Sequence, residues 1–118
     1  MANGIASFRI DWPKIFADAM FRRGWADRRG GKPYDYATGD GNSCYALGRL
    51  MAAEAPKATL PDVYPYYSMQ MRSVVQQCPA MIDDICLSAM REAAQQGFVE
   101  LHVDTGNGLM RLKGEMGE

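Results

Sequence analysis

The sequence is short of the residues that catalytic and metal chemistry draw on. It has one histidine, His102, and three cysteines, Cys44, Cys78 and Cys86. Together they make a Cys3His count, but no C-x2-C pair occurs and Cys86 falls on an apolar helical stripe, so no metal is expected. An odd number of cysteines without paired spacing excludes a disulfide framework and points to free thiols in a reducing compartment. No apolar run is long enough for a membrane-spanning helix. The opening residues, 1–13, lack the basic-then-apolar layout of a secretory signal. A cytoplasmic location is the expectation. Strong charge of either sign is missing too: the formal net charge is −1, which gives no general pull toward nucleic acid.

What is present is an ordinary globular composition, 47% hydrophobic and 23% charged over 118 residues. A chain of this length fits one compact domain, 1–118, and can bury a core without disulfides. Charge is unevenly spread. Residues 1–79 hold ten Lys and Arg against seven Asp and Glu, whereas residues 80–118 hold three against seven. The front is mildly basic and the back acidic.

The pattern predicts an α+β fold, mostly helical. Four helices and a small antiparallel sheet are expected. Ala6, Phe8 and Ile10 alternate with Ser7 and Arg9, which reads as a short strand. Asp11 is placed to cap a helix over about 12–23, with Pro13 in its first turn and Gly24 as its stop. Residues 25–42 read as a long loop, and loops of this length inside small domains are often functional. Ser43 can cap a helix over 44–55 with Cys44, Leu47, Gly48, Met51 and Ala55 on one face. Gly48 in a helix interior costs roughly 1 kcal/mol against alanine, which implies a close backbone contact there. Pro56, Pro61 and Pro65 mark a crossing segment. Ser68 can cap a third helix to about Gln77, with Met71, Val74, Val75 and Cys78 inward. A fourth helix is expected over 79–96, with Ile82, Ile85, Cys86, Ala89 and Ala93 inward and Gly97 as its stop. Val99, Leu101 and Val103 alternate with Glu100, His102 and Asp104, and Met110 and Leu112 with Arg111 and Lys113. A turn at Gly106-Asn107 closes these into a C-terminal β-hairpin. That register pairs Val103 with Met110, Leu101 with Leu112, His102 with Arg111 and Glu100 with Lys113. The first strand can join as a third.

Several constellations bear on function. Cys44 at a helix start, where a thiol pKa falls, with His102 and Asp104 on a later strand, is the raw material of a cysteine nucleophile and base. Cysteine on a helix start followed by a strand histidine resembles the order in bacterial cell-wall cysteine peptidases of the papain-like type, which implies a hydrolase or transferase. The resemblance covers those two positions. Ser43 and Tyr45 stand where that family has an aspartate and a small residue, and Arg111 and Lys113 where it has a polar third residue. Asp40-Gly41-Asn42 is similar to the start of a calcium loop, but the twelfth position is Met51, not glutamate. The Gly-rich residues 39–42 lack the Lys-Ser/Thr pair of a phosphate loop. No cofactor is expected.

The strongest positive feature is Arg22, Arg23, Arg28, Arg29 and Lys32 interleaved with Trp25, Tyr34 and Tyr36. Five cations with three rings can dock an acidic protein surface or hold a single nucleic-acid strand. Tyr66, among the prolines and tyrosines of residues 61–67, is a further contact anchor. Two helices and a hairpin over 68–113 resemble the winged-helix order. The would-be recognition helix carries Asp83, Asp84 and Glu92 against Arg91, a charge that DNA repels, so the resemblance implies protein binding. The pairing of Arg23-Gly24-Trp25 with residues 44–48 also resembles one that recurs in small bacterial and phage proteins. The leading expectation is a non-catalytic interaction module, a small cytoplasmic regulator or inhibitor of the phage or mobile-element kind, with no metal and no membrane. Its partner would be an acidic protein or a nucleoprotein. Nucleic-acid binding and a Cys44/His102 enzyme are the alternatives.

Overall fold

The computed structural model describes residues 4–39 and 43–113. The fold is α+β. Its elements run β1 (Ile5–Arg9), α1 (Trp12–Ala17), α2 (Ala19–Arg29), the single turn α3 (Tyr36–Gly39), α4 (Ser43–Glu54), α5 (Met69–Val75), α6 (Pro79–Gln95), β2 (Glu100–Asp104) and β3 (Leu109–Lys113). Contacts divide the chain into two compact units where the sequence pointed to one domain. One unit is Asp11–Met81, the other Met1–Ile10 with Ile82–Glu118.

The helical unit differs from expectation at its start. The expected helix over 12–23 is two helices. Asp11 caps α1, accepting from the Lys14 amide. Asp18 is extended (ψ 127°), breaks the chain there, and accepts from the Met20 and Phe21 amides at 2.9 and 3.0 Å. Satisfying those first free amides offsets the cost of the break. Nor does Gly24 stop the helix. It lies inside α2, which runs five residues further to Arg29, so much of the expected 25–42 loop is helix. Gly30 is the cap, and Gly31 turns the chain away at φ +72°, a value that glycine alone reaches without strain.

Gly24 is interior because α2 crosses α4 there. A Cβ at Gly24 would lie 2.1 Å from the carbonyl oxygen of Tyr45, and one at Gly48 would lie 2.0 Å from that of Phe21. Each glycine therefore admits the other helix's backbone. The close contact expected at Gly48 is present, and its partner is the α2 backbone at Phe21 and Trp25. The face of α4 turned inward holds Tyr45, Gly48, Met51 and Ala52, with Ala55 just beyond the helix. Cys44 and Leu47 are only half-buried, so the face is rotated by about one residue from expectation. Ser43, expected as the cap, is the first helical residue of α4.

Around this crossing Trp12, Phe16 and Phe21 form an aromatic chain, with ring centroids 6.1 and 5.4 Å apart. Met71, Val74, Val75 and Cys78 are buried, as the α5 pattern required, and Ser68 caps α5 by accepting from the Met71 amide. Glu54 of α4 accepts from the Ala80 and Met81 amides at 3.1 and 2.8 Å. A carboxylate thus caps α6, where the helix dipole favours negative charge.

In the second unit Gly97 ends α6 at φ +93°, with Phe98 N–H bonding the Ala93 carbonyl and Gly97 N–H that of Ala94. That is a Schellman cap. Cys86, Met90 and Ala93 of α6 are buried, as are Leu101 and Val103 of β2. Ile82, Ile85 and Ala89, expected inward, are half-buried. β2 and β3 pair antiparallel, Glu100 opposite Lys113, Leu101 opposite Leu112, His102 opposite Arg111 and Val103 opposite Met110. Gly106 opens the connecting turn at φ +84°, which suits the first central position of a II′ turn. β1 lies on the other side of β2 and runs parallel to it, Ile5 opposite Glu100 and Arg9 opposite Asp104. The sheet is mixed, not antiparallel as expected, because the long excursion from β1 to α6 returns the chain in the same direction. α5 falls in one unit and most of α6 in the other.

The glycine crossing is directly testable. Gly24→Ala and Gly48→Ala each gain helix propensity, yet each is expected to lose about 1–3 kcal/mol of unfolding free energy by overpacking. Urea titration measures this, and a neutral or stabilising result at either position contradicts the crossing.

Candidate interaction surface on α2 and the following loop

The basic and aromatic residues singled out in the sequence fall on the second half of α2 and on the segment up to α3. Hydrogen bonds sort them into two groups. Arg22 donates from Nη1 to the carbonyls of Phe16 and Pro61, at 3.0 and 3.1 Å, and so pins the crossing segment to the helical unit. Arg29 lies 4.6 Å from the Trp25 ring centroid and donates to the carbonyls of Ala52, Ala55 and Ala58. Ala52 lies in the last turn of α4 and Ala55 and Ala58 in the chain just after it, so a cation from α2 closes the end of α4. Trp25 itself is 4% exposed and belongs to the core, which removes it as a stacking ring for a ligand.

Arg23 is intermediate. Its Nη2 lies 3.4 Å from Asp35 and its Nε 4.0 Å from Asp27, and its side chain is about half exposed. Arg28 and Lys32 are exposed. Tyr36 is 75% exposed and Tyr34 half-buried, their centroids 4.8 Å apart. Tyr66 is exposed and stacks on Tyr64 at 5.1 Å, beside the exposed Val63 and Met69.

Four residues that the sequence reading passed over hold this surface in place. Tyr45 is fully buried and donates its hydroxyl to Asp27 at 2.7 Å, while the same oxygen accepts from the Asp35 amide at 3.4 Å. The Asp27 carbonyl accepts from the Lys32 amide. Arg49 donates to the Lys32 carbonyl at 2.9 Å and sits 5.6 and 5.9 Å from the Tyr34 and Tyr45 centroids. Its Nη1 is buried without a hydrogen-bond partner among the described residues. Tyr34 packs edge-on against Tyr45, so the chain after α2 is fastened to α4 by rings as well as by hydrogen bonds. The one available signal was the i,i+4 spacing of Arg23 and Asp27. Tyr45 was hidden by the one-residue error in the face of α4.

The alternative centre at Cys44 points the other way chemically. Burial pushes the Cys44 thiol up from its ordinary value of 9.0, and the nearby Asp18 carboxylate, which also accepts a hydrogen bond from it, adds to the rise. A thiolate nucleophile needs the opposite shift. Burial and the charge of Glu54 push Cys78 up to about 12, and burial with Asp83 raises Cys86. His102 bonds Glu100 on the exposed side of the sheet, and that bond, with the cations of His102, Lys113 and Arg111, holds the Glu100 carboxyl below its ordinary range. Among the described residues no group of three metal-ligating side chains forms, and no helix is long and apolar enough to cross a membrane. Asp40, Gly41 and Asn42 lie outside the described residues. Comparison with protein-family models, curated proteins and solved structures finds no match to the chain.

Two outcomes follow. Arg29→Ala is expected to lower stability by about 1–3 kcal/mol, because charged hydrogen bonds to helix-end carbonyls are lost, whereas Arg28→Ala should stay within about 0.5 kcal/mol. Equal effects on thermal unfolding would contradict the division of the cations. Separately, site-resolved mass spectrometry should find Cys44 alkylated more slowly than a free thiol at neutral pH, with the rate still climbing above pH 9.0. Fast labelling at neutral pH would restore Cys44 as a nucleophile.

Proposed function

We propose that the protein is a non-catalytic interaction module, a small cytoplasmic regulator or inhibitor that docks an acidic protein surface. The contact face is the end of α2 and the segment after it, with Arg28, Lys32 and Tyr36 outermost and Arg23 and Tyr34 beside them. The observation that carries this reading is the division of labour among the cations. Arg22 and Arg29 are bound to carbonyls, while Arg28 and Lys32 stand exposed on a segment anchored by the Tyr45–Asp27 hydrogen bond. An anchored segment loses little freedom on binding, so its charges and its exposed tyrosine act at low entropic cost. Charges of this kind govern partner choice and association rate. The raised Cys44 thiol argues against the hydrolase reading. Nucleic-acid binding by the same face is the second reading, favoured by the adjacent Tyr34 and Tyr36 rings.

The test is affinity capture with the wild type, with Arg28→Glu/Lys32→Glu, and with Arg91→Glu as a control cation elsewhere, all three also titrated with random DNA and RNA. Partners recovered by wild type and control but weakened about tenfold in the double variant support the reading. Equal recovery by all three overturns it. Binding to random nucleic acid that falls steeply with salt would transfer the face to the second reading.

A further inference from the structure

The second unit carries an open strand edge with its own chemistry. The sheet order is β1-β2-β3, so β3 has no neighbour on its outer side among the described residues. Thr105 N–H bonds the Gly108 carbonyl at 2.9 Å, which makes 105 and 108 a hydrogen-bonded pair. Alternation along an antiparallel ladder then directs the backbone groups of Met110 and Leu112 toward β2. Those of Leu109, Arg111 and Lys113 point outward. Asp104 supports the phase: it pairs with Leu109, and its carbonyl turns away from β3 to accept from Ile10 at 3.0 Å.

The same three residues carry exposed side chains, with Leu109 58% exposed. Arg111 and Lys113 stand opposite His102 and Glu100. The Glu100 carboxylate, however, is taken by His102, and Arg9 takes Asp104 at 3.4 Å. Neither Arg111 nor Lys113 forms an ion pair within 4.0 Å among the described residues. An open edge therefore presents outward amides and carbonyls together with two cations that act on Glu100 only at longer range than an ion pair.

From this geometry we infer that β3 is a docking edge for an extended acidic segment of a partner protein, which adds to the sheet as a fourth strand. Its backbone bonds the outward groups of Leu109, Arg111 and Lys113. Its carboxylates fall opposite Arg111 and Lys113, and its alternate, apolar residues fall on the other face, beside Met110 and Leu112. Charge selects this occupant over a second copy of the chain. Two β3 edges would set Arg111 and Lys113 against the same cations, and β1 offers Ile5, Ser7 and Arg9 on that face, with no acid. The inference rests on the sheet alone and is independent of the surface on α2.

The probe is a fluorescein-labelled peptide of alternating valine and glutamate, with a valine–lysine peptide as control, measured by anisotropy against the full chain. The wild type is expected to bind the acidic peptide and not the basic one. Arg111→Glu/Lys113→Glu should weaken binding about tenfold or more. Leu109→Pro keeps both cations, removes one outward N–H that the β2 ladder does not use, and should weaken binding comparably. Arg91→Glu, a cation outside both surfaces, should bind as wild type does. Thermal unfolding checks that each variant is folded; should Leu109→Pro fail that check, the charge-reversed variant decides. Absent binding by wild type, equal binding of the basic peptide, or unchanged binding by the charge-reversed variant overturns the inference. Binding that survives Leu109→Pro overturns strand addition and leaves a purely ionic contact.

Discussion

Everything in the helical unit depends on two backbones meeting where two side chains are missing. Gly24 and Gly48 let α2 and α4 approach until a Cβ on either would overlap the other's carbonyl. A glycine inside a helix costs about 0.5–1 kcal/mol in conformational freedom. That cost is offset by the close packing it permits, since contacts over a long helix pair accumulate many small dispersion gains. Phe21 and Trp25 on α2, and Tyr45, Met51 and Ala52 on α4, then become core.

The polar contacts are consequences of that approach. Tyr45 reaches Asp27, Arg29 reaches the last carbonyls of α4, and Arg49 reaches back to the Lys32 carbonyl. Each joins α2 or the chain just after it to α4 or the chain just after that, at a different height along the pair. Arg22 extends the same logic to the crossing segment through Pro61. Part of the charge that looked functional, Arg22 and Arg29, is thus structural, and what remains is positioned by it. This is why the α2 surface can be both basic and well anchored.

Local periodicity was legible in the sequence wherever one residue class decided the structure. The hairpin register followed from strict alternation around Gly106-Asn107, and α5 from its cap and apolar stripe. The start of the helical unit was not legible. Gly24 is also a good helix stop, and only the tertiary contact with Gly48 makes it interior. Asp18 breaks the first helix without any glycine or proline, by offering its carboxylate to two amides. The direction of β1 could not be read because parallel and antiparallel strands share one alternation. Among candidate site residues, Trp25 looked like surface and Arg22 and Arg29 looked free to bind, because charge and aromaticity do not reveal that a ring is covered or a guanidinium is bound to carbonyls. Tyr45 was missed through one residue of helical phase.

The central claim is that Gly24 and Gly48 together permit one close approach of α2 and α4. A double-mutant cycle tests it most directly. Once Gly24→Ala has pushed the helices apart, Gly48→Ala has little further to displace. The unfolding free energy of Gly24→Ala/Gly48→Ala should therefore fall short of the summed single losses by about 1 kcal/mol or more, the coupling typical of residues in contact. Losses that add within about 0.3–0.5 kcal/mol would contradict the account, because independent sites behave that way.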